Sequence, residues 1–337
     1  MKKVAINGFG RIGRLAFRQL FELKDVEIVA INDLTSPATL AYLLEHDSAH
    51  RWFRRGEISS TADSIIVAGK TIKIYAEKSA ADLPWGKLGV DLVVESTGFY
   101  TDKDKAMAHI NAGAKKVIIS APAKGDLKTI VYGVNHESLT SSDVIISGAS
   151  CTTNCLAPMA KVLNETFGIE RGLMTTVHAV TNDQRLLDLP HSDLRRGRAA
   201  AWNIIPSSTG AAVAIGLVLP ELKGRLDGLS LRVPTITGSI VDLTVELKKD
   251  ATIESINKAM EDAIKKDANL AKAYLYNKQE IVSVDVIGET HGSVFDATMT
   301  KVIEVDGKKM YKVFAWYDNE NSYTSQLVRT IQHFISL

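Results

Sequence analysis

The sequence predicts two architectures in one chain: an α/β first half around a mostly parallel sheet, and an α+β second half around a mostly antiparallel one. Three observations carry this reading. In the first half, short apolar runs rich in Val and Ile, at 4–6, 28–31, 92–94, 117–120 and 144–147, alternate with helical stretches. Buried strands alternating with helices are the pattern of βαβ units. In the second half, Ser239–Leu247 alternates polar and apolar residues, with Val241, Leu243, Val245 and Leu247 on one face, as a half-exposed strand does. Further strand candidates lie at 229–233, 281–287, 294–299 and 310–316, with one strong helix at 253–266 among them. Strands in succession favour an antiparallel sheet.

Length agrees, since 337 residues suggest about two domains at roughly 150 residues each. The pattern changes near residue 150, giving domains 1–150 and 151–318. Within the first, Ser36-Pro37 opens a helix, with an N-cap residue before Pro at the first helical position. At the end, Tyr323, Leu327, Ile331, Phe334 and Ile335 have helical spacing, and this last helix, within 319–337, is expected to pack back near the first domain.

Composition excludes several classes. Apolar residues make up 45% and charged residues 23%, an ordinary soluble globular balance. Lys plus Arg is 40 against 39 Asp plus Glu, which argues against dedicated nucleic-acid binding. The longest apolar stretch, 210–219, is too short to span a bilayer, so no membrane association is expected. The first residues carry two lysines but no continuous apolar run, unlike a secretory signal. Two cysteines, Cys151 and Cys155, are no disulfide framework. A cytoplasmic, reducing compartment is expected.

The first chemical motif is Gly8-Phe9-Gly10-Arg11-Ile12-Gly13, a G-x-G-x-x-G that follows a strand and opens a helix, with Asp33 ending the next strand. That context identifies a Rossmann-type dinucleotide-binding domain. Gly8 allows the tight turn, Gly10 the approach of a pyrophosphate, and Gly13 close helix–strand packing. The pyrophosphate would sit at the helix N-terminus. Asp33 would accept from a ribose hydroxyl and repel a 2′-phosphate, favouring NAD over NADP.

The second motif is Ser150-Cys151-Thr152-Thr153-Asn154-Cys155, after the apolar run 144–147 and before a helical stretch. Cys151 therefore falls near a helix N-terminus, where such a terminus or a nearby His⁺ lowers a thiol pKa and makes a nucleophile. Cys155, one turn on, is expected to be buried and inert. Oxidation of the two to a disulfide stays open, because their Cα separation of about 6 Å falls near the upper end of disulfide geometry. A zinc site would need further ligands, and His178 and His191 are isolated, so no metal is expected. The cysteine needs a base; His178, His191, His136 and His46 all remain candidates from the residues alone.

INGFGRIGR (6–14), ISGASCTTNC (146–155), HAVTNDQ (178–184), DLPHSDLRRGRAA (188–200), STGAA (208–212) and WYDNE (316–320) resemble the phosphorylating glyceraldehyde-3-phosphate dehydrogenase family. The resemblance is collinear from residue 3 to near the C-terminus. It implies oxidation of D-glyceraldehyde 3-phosphate with NAD and inorganic phosphate to 1,3-bisphosphoglycerate, in glycolysis, by a homotetramer. It makes Cys151 the nucleophile and His178 its base. Thr181 and Arg232 resemble the site for the substrate phosphate. Ser150, Thr152, Arg196, Thr209 and Gly210 resemble the site for inorganic phosphate. Arg11 and Ile12 would offer backbone to the pyrophosphate. Lys78, Thr97, Gly98 and Ser120 would line the cofactor, Asn182 and Asn319 would lie near the nicotinamide, with Asn319 on its carboxamide, and Tyr323 would pack beside the ring or in the core. Leu189-Pro190 resembles the NAD-using pattern. Three departures stand out: Gly197 for an alanine, Asn321-Ser322 where a glycine is common second, and His50-Arg51 for His-Gly. Alternatives are an erythrose-4-phosphate dehydrogenase-like oxidation, or a non-catalytic NAD-binding or thiol redox sensor.

Overall fold

The computed structural model describes residues 1–337, which divide into two compact units: Met1–Ile130, His136–Ala149 and Leu327–Leu337 form the first, and Val131–Asn135 with Ser150–Gln326 the second. No helix is long and apolar enough to cross a membrane.

The first unit contains β1 (Lys2–Asn7), α1 (Arg11–Phe21), β2 (Val26–Asn32), α2 (Pro37–Glu45), β3 (Ile58–Ser60), β4 (Ser64–Val67), β5 (Lys70–Tyr75), α3 (Trp85–Leu88), β6 (Leu92–Glu95), α4 (Lys103–Asn111), β7 (Lys116–Ile119), β8 (Lys128–Thr129) and β9 (Ile145–Ser147). Its sheet runs β3-β4-β5-β2-β1-β6-β7-β9-β8. The strands from β5 to β8 in this order are parallel to their neighbours, whereas β3 and β4 form an antiparallel edge. Chain order reverses between β1 and β6. In such sheets ligands bind outside the carboxyl ends of the strands at this switch point. The strands are apolar because both faces are covered: Val4, Ala5, Ile6, Leu92, Val93 and Val94 are fully buried. Ser36 caps α2, its hydroxyl accepting from Thr39 N, with Pro37 at the first helical position.

The second unit contains α5 (Cys151–Phe167), β10 (Ile169–Ala179), β11 (Ile205–Ser208), α6 (Ala211–Val218), β12 (Leu226–Val233), β13 (Ser239–Leu247), α7 (Ile253–Lys266), α8 (Ala268–Ala273), β14 (Tyr274–Asn277), β15 (Ser293–Asp296), β16 (Lys301–Val305) and β17 (Lys308–Tyr317). The sheet order is β11-β12-β10-β13-β17-β15-β14, with β16 on β17. Most pairs are antiparallel; β10–β12 and β14–β15 are parallel. On β13 the alternation places Val241, Leu243 and Val245 in the core. The helix α9 (Asn321–Ser336) closes the chain, and its last turns belong to the first unit, where Lys116 Nζ donates to the Phe334 carbonyl at 2.7 Å.

One expected strand is absent. Residues 281–287 form a short 3-10 turn, Ser283–Val286, instead. The Asp285 carboxylate accepts from Val282 N at 2.8 Å, a local bond that competes with a ladder. Val282 and Val284 consequently stand in solvent.

Candidate active site

In the first unit, the Gly8–Gly13 turn joins β1 to α1 beside the switch point. Gly8 has φ +91°, and a Cβ there would lie 2.7 Å from Thr97 N; a Cβ on Gly13 would lie 2.1 Å from the Gly8 carbonyl oxygen. Side chains at these positions would push β1, β6 and α1 apart. No side chain caps the N-terminus of α1, where Arg11 and Ile12 form the first turn. A cleft of about 350 Å³ opens over the strand ends, lined by Gly8, Gly10, Asp33, Lys78 and Thr97 together with Asn7, Asn32, Leu34, Glu77, Ala80, Ser96, Phe99 and Tyr100. Asp33 is half-buried, and its carboxylate accepts from Phe9 N at 2.8 Å and Thr35 N at 2.9 Å. Ser120, at the end of β7, donates its N–H to the Glu95 carbonyl, and Gly98 is exposed at φ +79°; neither lines this cleft.

Sequence reading missed the floor of the cleft. Asn32 Nδ2 donates to Asn7 Oδ1 at 2.8 Å, and Asn7 Nδ2 to Glu95 Oε2 at 2.6 Å. Glu95 Oε1 accepts from Thr97 N at 2.7 Å, while Trp85 Nε1 donates to His109 Nδ1 and His109 Nε2 reaches Glu95 Oε2 at 2.9 Å. With Nδ1 accepting from an indole N–H, the proton of His109 sits on Nε2 and the ring is neutral. The only signal was a polar residue at the end of each apolar run.

In the second unit, Cys151 opens α5 behind the N-cap Ser150, whose hydroxyl accepts from Thr153 N at 3.0 Å. Cys151 Sγ lies 3.4 Å from His178 Nε2. His178 sits near the end of β10, and the register of β10 with β12 sets it beside Arg232. His178 Nδ1 donates to the Ala179 carbonyl at 2.7 Å. Arg232 Nη1 also donates to that carbonyl, at 3.3 Å, and crowds Nδ1. The carbonyl thus keeps the proton on Nδ1 and turns the Nε2 lone pair toward the sulfur.

Charge differs from the expectation of a thiolate beside His⁺. Burial, helped by the Arg232 charge, pushes His178 down to about 3, so the ring is neutral. Burial also pushes the Cys151 thiol up, against the pull of Arg232 and Thr152. The resting pair is a thiol facing a neutral imidazole, because desolvation outweighs the helix terminus. Cys155 is fully buried, its Sγ 3.5 Å from the Ala315 carbonyl, and burial pushes its thiol up as well.

The anion candidates are unevenly placed. Arg196 Nη2 reaches the Ser208 carbonyl at 3.3 Å, which brings it to Thr209 and to Gly210, the N-cap of α6. Asp183 occupies another edge of its guanidinium. Thr181 is half-buried, its N–H on Gln184 Oε1, and Arg232 feels the charges of Arg196 and Asp183. Thr152 departs from the expected inorganic-phosphate site: it is buried, and its hydroxyl turns inward to Tyr317 OH at 2.9 Å, which also bonds Thr176 at 2.8 Å. Asn182 is exposed. Tyr323 is buried and its hydroxyl has no partner. A Cβ at Gly197 would lie 2.7 Å from the Leu189 carbonyl oxygen, so this loop is drawn tighter than an alanine permits.

Asn319 is held by its oxygen. Oδ1 accepts from Gly238 N at 3.2 Å and Ser239 Oγ at 3.0 Å; a backbone N–H can only meet the oxygen of a carboxamide. Thr237 Oγ1 donates at 2.7 Å to Asp318, whose carboxylate also accepts from Gly288 N, Glu320 N and Asn321 N. Ser322 Oγ accepts from Asp318 N and donates to the Glu289 carbonyl, which gives the serine at this departure a structural duty.

A doubly wound nucleotide-binding sheet and a cysteine–histidine pair on a mixed sheet define a cofactor-dependent enzyme class in which a thiol does covalent work. The comparisons with known proteins narrow this. Residues 2–103 match the model of the glyceraldehyde 3-phosphate dehydrogenase NAD binding domain, and residues 150–319 match that of the C-terminal domain. Proteins named glyceraldehyde-3-phosphate dehydrogenase are similar over nearly the full length: 58% identical in Clostridium pasteurianum and 57% in Clostridium acetobutylicum, each over 100% of this chain and 99% of the relative. The relative in Lactobacillus delbrueckii subsp. bulgaricus is 56% identical over 99% of both. The chain belongs to the glyceraldehyde-3-phosphate dehydrogenase family.

Proposed function

We propose that the chain catalyses the NAD-dependent oxidative phosphorylation of D-glyceraldehyde 3-phosphate to 1,3-bisphosphoglycerate, the glycolytic reaction. The observation that carries it is the Cys151 Sγ–His178 Nε2 contact of 3.4 Å at the start of α5, in a chain of this family. Sγ attacks the aldehyde carbon while the S–H proton passes by way of Nε2 to the carbonyl oxygen, giving a hemithioacetal on Cys151 and leaving the imidazole neutral again. His178 then takes the hydroxyl proton. Bound NAD supplies the acceptor for the hydride that leaves this carbon. The resulting thioester is opened by phosphate, and the leaving thiolate regains a proton. The Cys151 N–H and the His178 ring would stabilise the oxyanion.

The residues fit the cofactor. The cleft over β1 and β6 has the backbone cradle and the Asp33 carboxylate that a ribose requires, and that carboxylate disfavours a 2′-phosphate. In the second unit, Asn319 Nδ2 and the orphaned Tyr323 hydroxyl are donors left for a ligand. Arg232 and Thr181 are assigned to the substrate phosphate, and Arg196, Thr209, Gly210 and Ser150 to the inorganic one. We assign the 1–150 segment to cofactor binding and 151–318 to catalysis. A homotetramer is supported by the exposure of Leu186, Leu187, Leu194, Trp202 and Ile204 on one segment, since such apolar clusters mark interfaces. We place the enzyme in the cytoplasm, where both free thiols stay reduced.

The test follows NADH absorbance with the triose phosphate and NAD, with and without inorganic phosphate, and with erythrose 4-phosphate in parallel. Fast, phosphate-dependent turnover on the triose is expected. Turnover indifferent to phosphate, or faster on the tetrose, overturns the assignment.

A further inference from the structure

The ladder between β10 and β13 stops at Val177–Ile240. Just past it, a side chain takes over the pairing: Ala179 N donates to Ser239 Oγ at 3.0 Å. That hydroxyl has one proton, and it goes to Asn319 Oδ1 at 3.0 Å. Ala179 is also the residue whose carbonyl receives His178 Nδ1–H at 2.7 Å. Ser239 is 1% exposed, so water cannot substitute for it. It therefore fixes one side of Ala179 while the imidazole hangs on the other, and the same hydroxyl sets which edge of the Asn319 carboxamide points outward.

We propose that Ser239 is a positioning residue that couples the base to the cofactor-facing amide, so that His178 and Asn319 are oriented by one hydroxyl. The proposal rests on the reading of His178 as base and Asn319 as the nicotinamide contact. Without the hydroxyl, Ala179 N–H is a buried donor with no acceptor, and its carbonyl is free to tilt from Nδ1. Asn319 Oδ1 keeps only Gly238 N and a weaker share of Thr237. The charged and titratable groups around His178 come from other elements: Arg232 on β12, Cys151 on α5 and Tyr317 on β17. Tyr317 faces Ser239 across the β13–β17 ladder, but the Ser239 hydroxyl bonds only Ala179 N and Asn319 Oδ1, so removing it takes no charged or titratable partner from the pocket.

The experiment compares wild type, Ser239→Ala, Ser239→Thr and Thr237→Val, each by three readouts on the full chain. These are NAD dissociation by calorimetry, the pH profile of Cys151 alkylation by iodoacetamide without cofactor, and Tm. For Ser239→Ala, NAD binding is expected to weaken roughly fivefold, as for one lost buried hydrogen bond. Its alkylation midpoint is expected to move down by about 0.7 pH unit, the same fivefold expressed as ionisation, because a loosened Nε2 no longer holds the protonated form of the thiol. Ser239→Thr keeps the hydroxyl and is expected to restore both. Thr237→Val, which reaches only Asp318 and Asn319, is expected to weaken NAD while leaving the alkylation profile alone.

A Ser239→Ala protein with lower Tm but wild-type NAD affinity and alkylation profile overturns the proposal. So does a change in only one of the two. Should the alanine variant fail to fold, a folded Ser239→Thr that loses both readouts overturns it equally. None of these readouts uses the triose, so wild-type protein that binds NAD and alkylates but does not oxidise the triose would sink the activity and leave Ser239 tested.

Discussion

The Gly8–Gly13 turn and the Cys151 site prepare for charge in opposite ways. The turn draws its shape from one stretch of backbone: a strand end, two close approaches that only glycine tolerates, and an uncapped helix start. The thiol site gathers single side chains from α5, β10, β12, β13 and the segment after β17, which are far apart in the chain. The turn leaves N–H groups and the half-buried Asp33 ready for a ligand. The thiol site instead suppresses charge, for burial keeps its histidine neutral and its thiol protonated. A site that binds offers its charges in advance; a site that forms a bond holds a proton until a substrate arrives.

The sharpest way to break this comparison is Cys151→Ser. A hydroxyl in place of the thiol is expected to lower aldehyde oxidation by at least about 10³-fold, while NAD titrates as in wild type. Loss of NAD binding would mean that the two functions are not separable by unit.

Arg232→Ala comes next, because Arg232 stands at the junction of two roles. Turnover on the phosphorylated triose is expected to fall roughly 10- to 100-fold, as for one charge-assisted contact, and less on unphosphorylated glyceraldehyde. The variant also tests how charge is suppressed. Burial and Arg232 together hold His178 at about 3. Removing the cation lets the value rise, so the acid limb of the kcat/KM profile should move to higher pH. Activity then begins to fall at a pH where the wild type still has neutral imidazole. An acid limb that stays in place would assign the suppression to burial alone.

On the first unit, Asp33→Ala is expected to narrow the preference for NAD over NADP by about tenfold, the scale of one hydrogen bond to a charged group. It also removes the acceptor of Phe9 N–H, so NAD itself should bind less tightly. Comparing dissociation constants of the two cofactors separates these effects. An unchanged ratio would remove Asp33 from the ribose site.

Legibility follows the same division. The first unit could be read closely because its information is contiguous: Gly8, Gly10, Gly13 and Asp33 lie within one βαβ unit, and local geometry requires glycine at Gly8 and Gly13. The strands of that unit are apolar on both faces, so their periodicity marks them clearly. The second site was legible only as residue types. His178 could not be separated from His191, His136 or His46 until the β10–β12 register set it beside Arg232. Ser239 gave no signal, because a polar residue in an alternating strand usually faces water. Thr152 looked like an anion ligand, yet the structure turns its hydroxyl to Tyr317. The strand expected at 281–287 failed for a similar reason, since one Asp285 side-chain bond overrode a run of β-branched residues.

The smallest expected effect sharpens the comparison from the frame of the first unit. Arg51 adopts φ +64°, a left-handed conformation that strains a residue with a Cβ by about 1–2 kcal/mol. Its backbone holds the place: Arg51 N donates to the Asp47 carbonyl at 2.8 Å, and its own carbonyl accepts from Arg18 Nη2 at 3.3 Å. The side chain is exposed. Glycine keeps both backbone bonds and removes the strain, but adds freedom to the unfolded chain, so the net gain for Arg51→Gly is about 0.5–1 kcal/mol. Arg51→Ala keeps the Cβ and shows what loss of the side chain alone does. The denaturation midpoint should rise for glycine and not for alanine. Equal midpoints for the two would mean that the loop relieves its strain elsewhere, and that the frame around α1 is less rigidly determined than the turn it supports.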